Sequence, residues 1–117
     1  MPLLQINSNV AKEKFTKEYI LNFGNVLTKA MNKPIDFCVI HVLADQLMSF
    51  GGTFEPLAIL TLSSIGHLGV EENKTYSNVI MTELEKLGIS PTRVFINFNE
   101  LQPSEVGFNK TTIADSK

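Results

Sequence analysis

The residues with the most obvious capacity for chemistry are the first two, Met1 and Pro2. An initiator methionine is readily removed when a small residue follows it, and proline is small enough. The chain then begins with a secondary amine, which is a good base and nucleophile once its pKa approaches neutrality. Burial and a nearby cation both lower that pKa, because each disfavours the protonated amine. The apolar residues Leu3 and Leu4 follow at once, so we expect the amine to lead a strand into the core.

Many proteins begin with Met-Pro without any chemical role for the proline, so other features have to support a catalytic role for Pro2. His41 and His67 lie far apart without acidic clusters, and no metal site is predicted. Gly51 and Gly52 lack the Lys-Ser that follows a phosphate-binding loop. The one cysteine, Cys38, excludes an internal disulfide and lies in an apolar run, where a core position is expected.

The bulk composition predicts one domain over residues 1–117. The formal net charge is −2 and the pI about 5.6, with lysine and arginine scattered along the chain. No basic stripe exists, so nucleic acid is excluded as a partner. No stretch approaches the roughly 18 apolar residues of a membrane span. A charged segment followed by an apolar one is missing at the start, so neither membrane association nor a signal peptide is predicted.

Hydrophobic periodicity predicts strands and helices in a repeated order. The predicted strands are 3–8, 37–43, 47–50, 56–65, 93–98 and 106–108, and the predicted helices are about 12–31 and 71–87. The order of the main elements is strand, helix, strand, then strand, helix, strand, and the two halves resemble each other locally. We interpret this as an α+β fold: two pseudo-symmetric βαβ units that form a four-stranded mixed sheet with two helices on one face. The central strands are apolar on both sides, so we expect other subunits to cover the second face.

Short motifs stand in order along the chain: Met1-Pro2, Lys33-Pro34, residues 45–52 (Asp-Gln-Leu-Met-Ser-Phe-Gly-Gly), Glu55-Pro56, Ser64-Ile65-Gly66, Val94-Phe95-Ile96-Asn97 and Val106-Gly107-Phe108-Asn109. Together they resemble the macrophage migration inhibitory factor family of the tautomerase superfamily, from residue 1 to about residue 112. The resemblance implies the fold described above. It also implies a homotrimer whose sheets line a central barrel.

The resemblance implies an enzyme that interconverts keto and enol groups in a small aromatic 2-oxo acid such as phenylpyruvate, and that isomerises dopachrome-like compounds. It implies no metal and no organic cofactor. Pro2 is the implied general base. Lys33 is the implied electrophile, because a cation there lowers the pKa of the amine and holds an anionic carboxylate or enolate. Without the resemblance, the residues favour a solvated lysine at a helix C-terminus, where the helix dipole stabilises a cation.

The resemblance also implies a set of substrate-binding residues besides Lys33: Ser64, Ile65, Phe95, Asn97, Val106 and Phe108. Ile65 would act through its backbone N–H, and Asn97 would reach into the pocket of a neighbouring subunit. Without the resemblance, Ile65 is more simply a core side chain. Asn97 is an amide in the middle of a strand that needs hydrogen-bond partners, and neighbouring backbone could supply them.

Three departures from the family pattern affect what can be expected. Phe95 stands where the best-known members carry a tyrosine, and the lost hydroxyl bond costs about 0.5–1.5 kcal/mol. We therefore expect a weaker or shifted substrate preference. Phe108 replaces a tryptophan of the pocket rim, which is a milder change. Residues 57–60 replace a CxxC, so the thiol–disulfide activity attributed to the family is not expected.

A second function class stays open: a cytokine-like signalling protein that binds a cell-surface receptor. Asp45 matches a receptor-facing position of the family, whereas Lys12 replaces an arginine, which is not equivalent at a bidentate contact. We expect the protein in the cytoplasm and, by a route without a signal peptide, outside the cell. A third interpretation is a trimeric α+β domain without activity, which requires Pro2 to be blocked.

Overall fold

The structure is a computed structural model and describes residues 1–116. Its strands and helices are β1 (Pro2–Ser8), α1 (Lys17–Met31), β2 (Val39–Leu43), β3 (Ala58–Ser64), α2 (Val70–Glu85), β4 (Val94–Glu100), β5 (Gly107–Phe108) and β6 (Thr111–Thr112). Neither helix in these residues is long and apolar enough to cross a bilayer.

The first four strands form one mixed sheet in the order β2-β1-β3-β4. β1 is parallel to β2, β3 is parallel to β4, and the two pairs meet where β1 runs antiparallel to β3. The two parallel pairs have the same register, with Leu3 opposite Val39 and Ile59 opposite Phe95. This equal spacing confirms the prediction of two related βαβ units.

One face of the sheet carries the core. Leu4 and Ile6 of β1, and Leu60 and Leu62 of β3, are fully buried at alternate positions. They belong to one apolar cluster with six buried side chains of the helices: Phe23, Leu27, Met31, Tyr76, Ile80 and Leu84. Both helices therefore cover the same face, as the periodicity predicted.

The opposite face of the sheet has no helix against it. Leu3, Gln5 and Asn7 of β1 are half-buried there, and Phe95 and Asn97 of β4 are exposed. Amides alternate with apolar side chains across this face. It is more polar than the strand sequences indicated, because alternation assigns several of their apolar residues to the helix-covered side.

The first helix begins later than predicted. Residues 12–14 form a separate 3₁₀ turn, and α1 starts only after Thr16. The Thr16 side chain caps the helix by accepting a hydrogen bond from the backbone N–H three residues further on, at 3.1 Å. At its other end, Asn32 adopts a left-handed conformation with φ 55° and turns the chain toward Lys33.

The strand predicted at 47–50 is wrong. A single bridge joins Phe50 to Thr53 across Gly51 and Gly52, whose φ values of 59° and 78° suit a tight two-residue turn. The Arg93 guanidinium holds this segment as a loop by donating to four backbone carbonyls, those of Phe50, Thr53, Glu55 and Pro56. These carbonyls are thus satisfied without a neighbouring strand.

The chain after β4 folds back toward the start of β1. β5 and β6 pair as a short antiparallel hairpin. The backbone N–H of Ile113 then donates to the carbonyl of Val106 at 2.9 Å, which fixes the last turn against the segment before the hairpin. This arrangement brings the C-terminal residues to the same end of the sheet as Met1.

Candidate functional site

A cavity of about 410 Å³ lies at the end of the sheet where β1 begins and β3 ends. Its wall consists of Met1, Lys33, Phe37, Ile65, Phe108, Asn109, Ile113 and Ser116. These residues come from six separate parts of the chain. Three of them, Lys33, Ile65 and Phe108, are residues that the sequence predicted for a substrate site.

Pro2 follows Met1 in the chain and lies beside the cavity without lining it. It is the first residue of β1, is fully buried, and pairs with Ser64 at the end of β3. Its nitrogen is an amide here because Met1 precedes it, and the α-amine of Met1 is the basic group at the cavity. The predicted base therefore lies next to Ser64 and Ile65, two of the predicted substrate-binding residues, because β1 and β3 are antiparallel neighbours.

Lys33 is one of the residues that line the cavity. Its Nζ donates to the carbonyl of Ile65 at 2.9 Å. Burial, and then the hydrogen bond and the positive charge of Lys33, together lower the pKa of the Met1 amine from 8.0 to about 6. Cys38 has a smaller, opposite effect on that pKa. An amine in this position is largely neutral at pH 7, as a general base has to be.

Four hydrogen bonds hold the loop after β3 in place. Ser64 Oγ donates to the carbonyl of Gly66 at 2.9 Å, and the N–H of Gly66 donates to Glu100 Oε2 at 2.6 Å. His67 Nδ1 lies 2.7 Å from the carbonyl of Met31, the last residue of α1. The Tyr76 hydroxyl of α2 donates to the carbonyl of His67. These bonds fix the backbone of Ile65 beside Lys33.

Val106 and Phe108 lie at the outer side of the cavity. Both line an adjoining cavity of about 260 Å³, which Met1 and Phe37 also border. The Phe108 ring meets the Phe37 ring edge to face, with centroids 5.6 Å apart. Apolar and aromatic side chains make up most of the walls of the two cavities, and Lys33, Asn109 and Ser116 add polar groups, a combination typical of a site for a small molecule.

Phe95 and Asn97 do not reach this cavity within one chain. Both lie on the open face of the sheet, and the Phe95 side chain is 62% exposed. The Phe95 ring contacts the Phe50 ring, with centroids 5.1 Å apart. The predicted role of both residues therefore depends on a second copy of the chain.

Four wall residues were missed by the sequence interpretation: Phe37, Asn109, Ile113 and Ser116. Phe37 was assigned to a buried strand, but a 3₁₀ turn at Ile35–Phe37 places it before β2 and leaves it half exposed. The other three lie after the last predicted strand, and the polar sequence from Thr111 onward gave no sign of an ordered structure. Their position depends on the hairpin, which periodicity does not detect in two-residue strands.

Within residues 1–116, the His, Cys, Asp and Glu side chains form no group of three that could hold a metal ion.

Comparison with known proteins identifies the family to which the chain belongs. Residues 1–114 match the family model described as macrophage migration inhibitory factor. This chain belongs to the macrophage migration inhibitory factor family. The match covers every element of the sheet and both helices, and it includes Met1, Pro2, Lys33 and Ile65.

Curated members of the macrophage migration inhibitory factor family are similar over almost the whole chain. The protein of that name from Xenopus tropicalis is 38% identical over 115 residues, which cover 97% of this chain and 100% of the relative. The one from Rattus norvegicus is 36% identical over the same length, with the same coverage. Membership in this family supports an isomerase kind of activity.

Solved structures agree with the fold. The macrophage migration inhibitory factor of Trichinella spiralis has a TM-score of 0.89 at 31% identity, covering 94% of this chain and 98% of that one. A homologue from Prochlorococcus marinus has a TM-score of 0.90 at 23% identity, covering 95% and 98%. The second likeness concerns the fold alone. It shows that this arrangement of strands and helices persists when most side chains differ.

Proposed function

We propose that the protein is a cofactor-independent keto–enol tautomerase acting on small aromatic 2-oxo acids of the phenylpyruvate type and on dopachrome-like compounds. The observation that carries the proposal is the N-terminal amine at an apolar cavity, with its pKa lowered to about 6 by burial and by Lys33. Removal of Met1 makes the nitrogen of Pro2, one residue further along, the free amine at this end of the sheet. There we expect burial and Lys33 to lower its pKa in the same direction, so that it acts as the general base.

The reaction requires a neutral base and donors for the developing anion. The base takes a proton from the carbon next to the carbonyl, and negative charge accumulates on oxygen. Lys33 supplies a cation for the carboxylate or the enolate oxygen, and the Ile65 backbone N–H is a further donor. Pro2 can return the proton to the other end of the enol. Each group needed for this step lies at the cavity or directly beside it.

A homotrimer completes the proposed site. The open face of the sheet carries Phe95 and Asn97 on β4, together with Gln5 and Asn7 on β1. A neighbouring chain against this face would bury the apolar side chains and give the amides hydrogen-bond partners. Phe95 and Asn97 would then approach the cavity of that neighbour, so catalysis would depend on assembly.

A one-residue extension tests the proposed base. Insertion of an alanine before Pro2 keeps the Pro2 nitrogen as an amide, which has no basic lone pair, and leaves β1 intact. The only free α-amine then lies one residue away from the Pro2 nitrogen, where the proposal assigns no catalytic role. We expect phenylpyruvate ketonisation to proceed with the chain that begins at Pro2 and to fall to the uncatalysed rate with the extended chain. Intact mass verifies both N-termini. Equal rates in the two proteins would contradict the proposal.

Replacing Lys33 by methionine is expected to shift the pH profile in a defined direction. Without the cation the pKa of the amine rises, so more of the base is protonated near neutrality and the acidic limb of kcat/KM moves to higher pH. KM for the anionic substrate should rise about tenfold or more, since a hydrogen bond to a charged group is worth roughly 1.5–3 kcal/mol. Lys29→Met, on the exposed side of α1, is the control. An unchanged acidic limb would argue against this role.

The names of the relatives favour a second proposal, signalling at a cell surface after release from the cell. Family members carry the name of an inhibitor of macrophage migration. The alanine-extended chain separates the two functions, because it lacks the base but keeps the surface. If it inhibits macrophage migration as the unextended chain does, the signal does not need the enzyme. Loss of both activities would tie the signal to the cavity, and the absence of the protein from culture medium would contradict release.

A further inference from the structure

One peptide group at the cavity lies between a cation and an anion. The carbonyl of Ile65 accepts a hydrogen bond from Lys33 Nζ at 2.9 Å. The N–H of the same peptide unit belongs to Gly66 and donates to Glu100 Oε2 at 2.6 Å. The ammonium of Lys33 and the carboxylate of Glu100 are therefore connected through a single amide.

The fold places Glu100 there by strand register. Glu100 is the last residue of β4 and lies opposite Ser64, the last residue of β3. The next residue, Leu101, donates its N–H to the Ser64 carbonyl at 2.9 Å, so the two strand ends stay together up to the loop. Gly66 has a φ of 74°, a left-handed conformation that suits glycine.

An amide in this position is polarised from both ends. A carboxylate at the N–H makes the carbonyl oxygen a stronger acceptor, because hydrogen bonds in a chain reinforce one another. Hydrogen bonds to ionised groups are also shorter and stronger than neutral ones. Glu100 thus strengthens the contact that holds Lys33 beside the N-terminal amine, although Glu100 itself does not line the cavity.

We propose that Glu100 is a positioning residue of the site, which acts through the Ile65–Gly66 peptide to hold Lys33 against the reacting groups. The inference rests on the proposed tautomerase function and extends it to a residue outside the cavity wall. Removal of the carboxylate frees the peptide to rotate. The Lys33 ammonium then spends less time beside the amine and beside the carboxylate of a bound 2-oxo acid.

Glu100→Ala and Glu100→Gln test the inference in the chain that begins at Pro2. For Glu100→Ala we expect KM for phenylpyruvate to rise about three- to tenfold while kcat changes less, with the acidic limb of kcat/KM displaced to higher pH. Glu100→Gln keeps an acceptor oxygen without the charge and should recover part of the loss. The exposed Glu105, on a turn away from the loop, provides the matched control Glu105→Gln.

A second measurement does not depend on turnover. Titration of the Pro2 nitrogen by ¹⁵N NMR reports the pKa of the amine directly in each variant. Lys33 and Cys38 are the titratable groups that act on the amine of Met1, the residue before Pro2, and Asp36 borders the adjoining cavity. We expect Glu100→Ala to raise the pKa in the wild-type background and to have no effect in a Lys33→Met background, because the coupling passes through Lys33.

The outcomes separate the inference from the proposed function. A wild-type protein without tautomerase activity contradicts the function, whereas the NMR titration still decides the role of Glu100. An amine pKa and a KM that are both unchanged in Glu100→Ala overturn the inference. An equal effect of Glu100→Ala with and without Lys33 also overturns it, since the effect would then be a general loss of structure.

Discussion

Pro2→Gly is expected to reduce kcat/KM for phenylpyruvate ketonisation by about 10²–10⁴, the range that a positioned general base contributes. Glycine leaves a primary amine at the cavity but removes the ring, which holds the nitrogen lone pair in one direction. The amine also becomes free to rotate about a bond that the ring of proline fixes. Pro2 is fully buried at the start of β1, so the fold holds its ring in one position.

The measurement is steady-state kinetics by the change in enol absorbance, with the N-terminus of each protein verified by mass. Pro91→Gly is the control, because Pro91 begins an exposed 3₁₀ turn before β4, away from the cavity. It removes a proline without touching the proposed base. If Pro2→Gly and Pro91→Gly have the same small effect, Pro2 is not the base. Sedimentation of the variants shows whether assembly is retained.

Leu60→Ala is expected to lower the free energy of unfolding by about 2–5 kcal/mol, the range for a leucine truncated in a packed core. Leu60 is fully buried in the middle of β3, which has neighbours on both sides. Its side chain belongs to the cluster between the sheet and both helices, so the vacated volume cannot be filled by one local adjustment. The loss comprises the burial of the missing methyl groups and the cavity that they leave.

Urea unfolding at a fixed protein concentration measures this loss, since the stability of an oligomer depends on concentration. Leu21→Ala is the matched control: Leu21 lies on α1 with 69% of its surface exposed. Surface changes of this kind usually stay within about 0.5 kcal/mol. A Leu60→Ala protein with an unfolding midpoint like that of Leu21→Ala would mean that the sheet–helix interface is not the main source of stability.

The sequence by itself determined the fold class. Alternation in β1 and the three-four spacing of α1 are local patterns, and each depends only on residues close together in the chain. The repeat of these patterns in the second half predicted the pairing of β3 with β4. Among the site residues, Pro2, Lys33 and Ile65 were found because each stands in a short motif, and the structure places them at or beside one cavity.

Other elements could not be predicted from local sequence patterns. The residues at 47–50 are strand-like, yet they form no strand, and the Arg93 guanidinium satisfies carbonyls of the segment from Phe50 to Pro56 from more than thirty positions away. Phe37 precedes its strand because a 3₁₀ turn follows α1. Propensity cannot resolve such cases, because the deciding hydrogen bonds join residues distant in sequence.

The cavity shows most clearly which features the sequence determined and which depended on the tertiary structure. The sequence identified a candidate amine and a candidate cation, since their types and motifs are visible along the chain. Only the tertiary structure placed Glu100 opposite Ser64 and connected it to Lys33 through one peptide. It also showed the open face of the sheet to be a mixture of amides and apolar groups. The position of Glu100 follows from strand register, which aligns residues far apart in sequence and which no single segment of the chain specifies. The composition of the open face follows from which side of each strand the helices cover.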